Sequence, residues 1–256
     1  MKRKHLEHAM PWLFIGGTLL LWELGCWLFK VPVFLLPRPS VVMTAFIKQF
    51  SAIMENSLQT LAITLVGFAI AVALGVGIGV AIGTSRLVYR GLYPVLVGFN
   101  SVPKVAVVPV FVIWFGAGVM PAVFMAFLTS FFPIAVNIAT GLATIEPELL
   151  DVLRSLGARK SQILRKVGLP RSMPYFFASL KVSVTLAFVG TIISETVAAN
   201  KGIGYLMMAA TSNFDTPLVF AGLLVVSAMG IVMYAVFAWL ELRMTFWAQR
   251  ANTLST

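Results

Sequence analysis

The chain has 256 residues, of which 59% are hydrophobic and only 11% charged, and it carries a formal net charge of +10. Soluble domains hold roughly 45–50% apolar and about 25% charged residues, so this composition points away from a soluble enzyme and toward a membrane. A single cysteine, Cys26, rules out a disulfide framework and a cysteine metal site.

A helix that crosses a bilayer needs about 20 mostly apolar residues. Six runs meet that need, at about 11–29, 58–83, 92–115, 119–143, 173–197 and 217–240. The expectation is an all-α integral membrane protein with six transmembrane helices, residues 1–256 forming one transmembrane domain. Met1-Lys2-Arg3-Lys4 resembles the start of a signal peptide, but the apolar run after it is too long and no small-x-small cleavage site follows, so it reads as an uncleaved first span. Glu23 lies in that span and is given no role beyond reaching the outer headgroups.

Pro32, Pro37 and Pro39 then break the chain, and residues 40–50 show apolar positions at helical spacing. That is an amphipathic helix near the outer interface, read first as a membrane-surface brace. In span two, Gly75, Gly79 and Gly83 share one helix face, where small residues let helices approach closely. Intramolecular packing and a subunit interface are both open readings of that face.

Span three holds Pro103, Lys104 and Pro109. Proline frees backbone carbonyls and is tolerated where a helix lines a cavity or packs on protein. A lysine at depth is costly and usually functional, although Lys104, some fourteen residues beyond Arg90, could instead snorkel to the near interface. Gly116 and Gly118 predict a tight turn into span four.

The loop 144–172 is polar and basic. A short helix is expected from Glu146-Pro147, since proline suits the first helical position, with Glu148 and Asp151 favoured by the helix dipole. Gly157 ends it as a left-handed cap, and a second, basic helix follows that stops at Leu169-Pro170 because the residue before proline resists helical geometry. Leu149, Leu150, Leu153 and Leu156 recur at helical spacing and would form a docking face flanked by Asp151 and Arg154. In span five, Glu195 precedes the turn Asn200-Lys201-Gly202-Ile203-Gly204. It reads first as a hydrogen-bonding brace for that turn, and second as a group that touches a transported ligand.

Charge distribution supplies orientation and removes a nucleic-acid reading. With the N-terminus in the cytoplasm, Lys2, Arg3, Lys4, Arg86, Arg90, Arg154, Arg159, Lys160, Arg165, Lys166, Arg171, Arg243 and Arg250 fall inside, against Lys30, Arg38, Lys48 and Lys201 outside. Thirteen against four is a positive-inside bias that places both termini and the 144–172 loop in the cytoplasm, beside anionic lipid headgroups. His5 and His8 are the only histidines, and the chain contains no HExxH, no Gly-x-Ser-x-Gly and no phosphate-binding loop. It offers no catalytic residues and no metal site.

The loop resembles the signature of permease subunits of bacterial ABC importers, E-A-A-x3-G-x9-I-x-L-P. Here Asp151-Val152-Leu153 is followed after three residues by Gly157, and after nine more by Val167-Gly168-Leu169-Pro170. The acid and the glycine match in kind and spacing, while Val152 and Leu153 are larger than the usual alanines. Leu36-Pro37-x-Pro39-Ser40, Trp114-Phe115-Gly116-x-Gly118, Gly202-x-Gly204-Tyr205-Leu206 and Phe214-Asp215-Thr216-Pro217-Leu218 look like the branch serving nitrate, sulfonate, taurine and pyrimidine precursors.

The resemblance implies a type I importer (MetI-like) architecture in the bacterial inner membrane, and a coupling loop of Glu148, Leu149, Leu150, Asp151, Leu153, Arg154, Leu156, Gly157 and Pro170. Within that architecture, Pro103, Lys104, Pro109 and Glu195, singled out above from the spans themselves, are the candidate path residues. Its expected partners are a second permease copy, two ATPase subunits that bind the ATP and Mg, and a periplasmic or lipoprotein solute-binding protein. The alternative is a stand-alone secondary transporter or channel, for which repeats and midplane ion sites would be the signs.

Overall fold

The computed structural model describes residues 2–245, so Arg250 of the charge count lies outside the described residues, as do the side chains of Lys2, Arg3 and Lys4. Eleven α-helices make up the described chain: α1 (Lys2–Leu28), α2 (Pro39–Lys48), α3 (Phe50–Thr84), α4 (Arg86–Ser101), α5 (Lys104–Phe115), α6 (Val119–Ala143), α7 (Pro147–Ser155), α8 (Lys160–Ile163), α9 (Leu169–Ala198), α10 (Ile203–Ser212) and α11 (Thr216–Met244), with a π-helical turn at Leu164–Gly168.

The centre is a three-helix core in which α3 and α9 both pack on α6 and also meet each other. Much of its interior is apolar, with Phe68, Ala126, Ile134, Ile138, Phe177, Val184 and Phe188 all buried, while Thr60, Thr64, Thr191 and Glu195 are buried there as well. Without a hydrophobic drive between helices in lipid, close contact depends on small residues, and α3 supplies them. A Cβ on Gly67 would lie 2.6 Å from Ala126 Cβ, one on Gly75 2.9 Å from Ile134 Cγ2, one on Gly79 2.7 Å from the Ala135 carbonyl, and one on Gly83 2.8 Å from Leu142 Cβ. The glycine face of span two is therefore used within the chain, against α6, and it extends two helical steps further than the sequence suggested, through Ala71 to Gly67.

Four helical runs are long and apolar enough to cross a membrane by themselves: Phe50–Thr84, Val119–Ala143, Lys160–Ala198 and Thr216–Met244. The expected straight span at 92–115 is instead a broken pair, α4 and α5, bent by 92°. The cause is Pro103. Val102 before it is extended (φ −67, ψ 128), as a pre-proline residue prefers, and Pro103 itself is extended at the start of α5. Counting the pair as one span gives five, and α1 carries a shorter apolar stretch, Leu13–Leu28, where the first span was expected.

The second loop helix also differs from expectation, because it does not stop at Pro170. Residues 160–198 run on as a single helical rod. The π turn, in which the Leu169 amide reaches back to the Leu164 carbonyl, widens the backbone just where Pro170 would otherwise crowd the preceding turn.

The amphipathic stretch after the first span is α2, and it braces the bundle: Val42 packs with Ile53, Ile203, Leu218 and Ala221. Glu23 on α1 holds the start of α2, accepting from the Ser40 amide (3.0 Å) and the Ser40 hydroxyl (2.7 Å). That is the role the sequence had left unassigned. The turn at 116–118 forms as expected, and the Gly118 amide donates to the Ala198 carbonyl at 2.9 Å.

Candidate functional site

Three places gather the candidate residues. The first is a polar knot where α3 and α9 meet the 199–202 turn. Glu195 is 1% exposed. It accepts from the Thr60 hydroxyl at 2.8 and 2.9 Å and from the Gly204 amide at 3.0 Å. Thr60 accepts in turn from the Ile203 amide at 2.9 Å, and the Asn56 side-chain carbonyl accepts from the Gly202 amide at 2.8 Å. The first amides of α10 have no partner within their own helix, and this set of side chains supplies one.

Gly202 (φ +112) must be glycine on two grounds: its backbone is left-handed, and a Cβ would collide with the Glu195 carboxylate. One wall of Glu195 borders a cavity of about 230 Å3 shared with Gln59, Asn200 and Lys201. The geometry is that of a brace, with the cavity beside it.

The second place is the α4/α5 break. Lys104 is engaged within its own chain. Its ammonium folds back over α4, donating to the Asn100 backbone carbonyl (3.2 Å) and the Asn100 Oδ1 (3.1 Å). A cation there meets the carbonyls that the break leaves unpaired and the negative end of the α4 dipole. Lys104 and Asn100 line a cavity of about 250 Å3 walled by Phe99, Phe127, Phe131 and Phe132. Phe131 is the midpoint of α6 (Val119–Ala143), so this cavity lies near the middle of a membrane-length helix. Pro103 makes the bend, and Pro109 sits exposed within α5. Lys104 and Glu195 do not meet; they border separate cavities.

The third place is the loop between α6 and α9. Pro147 occupies the first turn of α7, with Glu148 near its N-terminus and Arg154 in its last turn, paired to Asp151 at 2.9 Å. Gly157 has φ +79. Its amide donates to the Arg154 carbonyl (2.9 Å) and the next amide, Ala158, to the Leu153 carbonyl (3.0 Å), the paired bonds of a Schellman cap. Across the turn, the Gln162 side chain accepts from the Arg159 amide at 2.8 Å and starts α8.

The expected four-leucine face is split. Leu149, Leu150 and Leu153 are half-buried toward the elbow, where Leu150 borders a cavity of about 400 Å3 with Leu142, Ile145 and Leu164. Leu156 is 77% exposed and Val152 55%. The outward face of α7 is thus Glu148, Asp151, Val152 and Ser155, ending at Leu156. Pro170 lies in the first turn of α9, beyond α8 and the π turn.

Sequence reasoning passed over Thr60, Asn56 and Asn100, as well as an ion pair between α9 and α11, Lys181 to Glu241 at 2.5 Å. A signal for the pair was present, since opposite charges in two apolar spans have few alternatives to each other.

An all-helical bundle with four helices long and apolar enough to cross a membrane, and a bent helix pair beside them, is the architecture of a multi-span membrane protein, and comparison with known proteins says of which kind. The chain belongs to the family of binding-protein-dependent transport system inner membrane components, which matches residues 71–246; it is a permease subunit of an ABC importer.

It is 32% identical to the formylaminopyrimidine transport permease protein ThiX of Halalkalibacterium halodurans over 251 residues, covering 98% of this chain and 100% of that one. It is 35% identical to the riboflavin transport system permease protein RibX of Chloroflexus aurantiacus over 243 residues, covering 93% and 91%. Among solved structures, a chain of the inward-facing MetNI methionine ABC transporter superposes with a TM-score of 0.59 at 21% identity, covering 74% of this chain and 98% of that one. That likeness shows the shared fold.

Proposed function

We propose that this permease encloses a translocation path together with a second copy of itself. In this reading a periplasmic or lipid-anchored solute-binding protein delivers a small solute, and two ATPase subunits, which hold the ATP and Mg, drive the cycle. Both termini and α7 lie in the cytoplasm, as the distribution of Lys and Arg favours. The named cargoes of the relatives, formylaminopyrimidine and riboflavin, support a small organic solute.

The observation that carries the reading is mechanical. Helix α7 is joined by a rigid left-handed cap at Gly157 to a helical rod that continues unbroken from Lys160 to Ala198. A partner that grips α7 therefore moves a membrane-crossing helix, and that helix ends at the Glu195 knot on the opposite side. The grip must differ in strength between the two states of the ATPase pair, since only differential affinity shifts a conformational equilibrium. The path side of the reading assigns Lys104, Pro103 and Pro109 to the bent element that borders the mid-membrane cavity, and Glu195 to holding the outer turn.

Reconstitution tests this. Vesicles containing the permease, its cognate ATPase and its binding protein are expected to accumulate solute only with ATP inside the ATPase compartment. Ion-coupled uptake by the purified chain alone would overturn the proposal in favour of a secondary transporter.

A further inference from the structure

The cavity under the α4/α5 elbow has a composition that selects its occupant. Four phenylalanine rings, Phe99 from α4 and Phe127, Phe131 and Phe132 from α6, dominate its walls beside the aliphatic Ile78, Leu96 and Leu128, and one edge carries the Lys104 ammonium and the Asn100 amide. Aromatic walls reward a flat π-system through offset and edge-on stacking. Such stacking tolerates different ring identities because every heterocyclic base has a π-face. An ammonium has three donors, and Asn100 takes two of them, leaving one for an acceptor on a guest.

We infer that this cavity is a binding site, midway along the path, for a planar heteroaromatic ring that carries a hydrogen-bond acceptor on one edge. The inference rests on the reading of Lys104 as part of the translocation path. A small aliphatic anion would satisfy Lys104 but leave four rings facing it unmatched. An apolar ring without an acceptor would leave the third lysine donor with nothing to bond, and a desolvated donor without a partner is costly. At about 250 Å3 the cavity suits a single small ring system better than a long or branched solute.

The test uses the full-length permease in lipid nanodiscs and proton saturation-transfer NMR, with cytosine and ethanesulfonate as probes. Cytosine ring protons are expected to receive saturation at millimolar probe concentrations, and ethanesulfonate is expected to receive none. Lys104→Met and, separately, Phe99→Leu should each weaken cytosine binding by about tenfold, the size of one lost charged hydrogen bond or stacking contact. Phe99 is 65% exposed, so its replacement leaves the packed bundle alone.

Absence of a cytosine signal, an unchanged signal in both variants, or displacement of cytosine by ethanesulfonate would each overturn the inference. Uptake assays separate it from the reading beneath it. Impaired uptake in Lys104→Met with unchanged cytosine binding removes the ring site alone. Normal uptake in that variant removes the path reading and the site's role with it.

Discussion

Thr60 on α3 and Glu195 on α9 are 135 residues apart in sequence and meet hydroxyl to carboxylate at 2.8 Å inside the bundle. Through Gly204 and Ile203 the same two side chains fix the start of α10, so one buried contact ties three helices. Glu195→Ala should leave the Gly204 amide without its acceptor, at a cost of about 1–3 kcal/mol. Glu195→Gln keeps one carbonyl oxygen for that amide and should retain most of the stability. Thermal unfolding in detergent distinguishes the two, and an Ala variant as stable as the parent would dismiss the bracing role.

The α3/α6 seam offers an internal control. Gly79 faces α6, where a Cβ would lie 2.7 Å from the Ala135 carbonyl, whereas a Cβ on Gly77 meets nothing within 4 Å. Gly79→Val should force the helices apart and destabilise by about 1–3 kcal/mol or more, with reduced membrane yield. Gly77→Ala should be neutral or slightly stabilising, because alanine is the better helix former. Equal yields and melting temperatures for the two variants would mean that the seam is looser than its geometry implies.

What the sequence disclosed and what it hid divide along a physical line. Four of the membrane-length apolar runs, the Gly75–Gly79–Gly83 face and the left-handed position at Gly157 are local properties, and each of these appears where its residues predicted. The 92° bend at Pro103 was hidden because a proline either kinks or breaks a helix, and the choice depends on what packs beside it. The helix that continues through Pro170 was hidden for a related reason, since a π turn leaves no composition signature. Thr60 became visible only once folding had placed it beside Glu195, 135 residues away, whereas Asn100 lies four residues before Lys104 and was passed over across the break. Leu150 and Leu156 looked equivalent by periodicity and differ only in what covers them.

Lys181 and Glu241 pair at 2.5 Å between α9 and α11, with side-chain exposures of 19% and 20%, and the Lys181 ammonium also sits 5.9 Å from the Tyr234 ring centre. Removing one partner of a largely buried pair strands the other charge, while the residual exposure lets solvent screen part of the loss. Lys181→Met should therefore cost about 2 kcal/mol, and the double variant Lys181→Met with Glu241→Leu should recover most of it. A double-mutant cycle in thermal unfolding measures the coupling. Additive losses would show that the two charges act independently.

The outward face of α7 makes the last expectation specific to single residues. Leu156 is 77% exposed at the end of that helix, beside the Gly157 cap, and an exposed apolar side chain on a rigid element is a natural anchor for a partner. Leu150, two turns earlier, points into the cavity it shares with Leu142, Ile145 and Leu164. Leu156→Asp should leave expression and melting temperature unchanged and weaken retention of the cognate ATPase by about tenfold or more. Leu150→Asp should act the other way, placing a charge against apolar neighbours and lowering stability before any partner is involved. Gly157→Leu should resemble Leu156→Asp in its effect on the partner, because a side chain at φ +79 strains the cap by about 1–2 kcal/mol and shifts the angle at which α7 is presented. Co-purification of the ATPase, read alongside melting temperatures for the three variants, decides the matter. If Leu156→Asp and Gly157→Leu both hold the ATPase as tightly as the parent, α7 is not the element through which hydrolysis reaches the membrane helices.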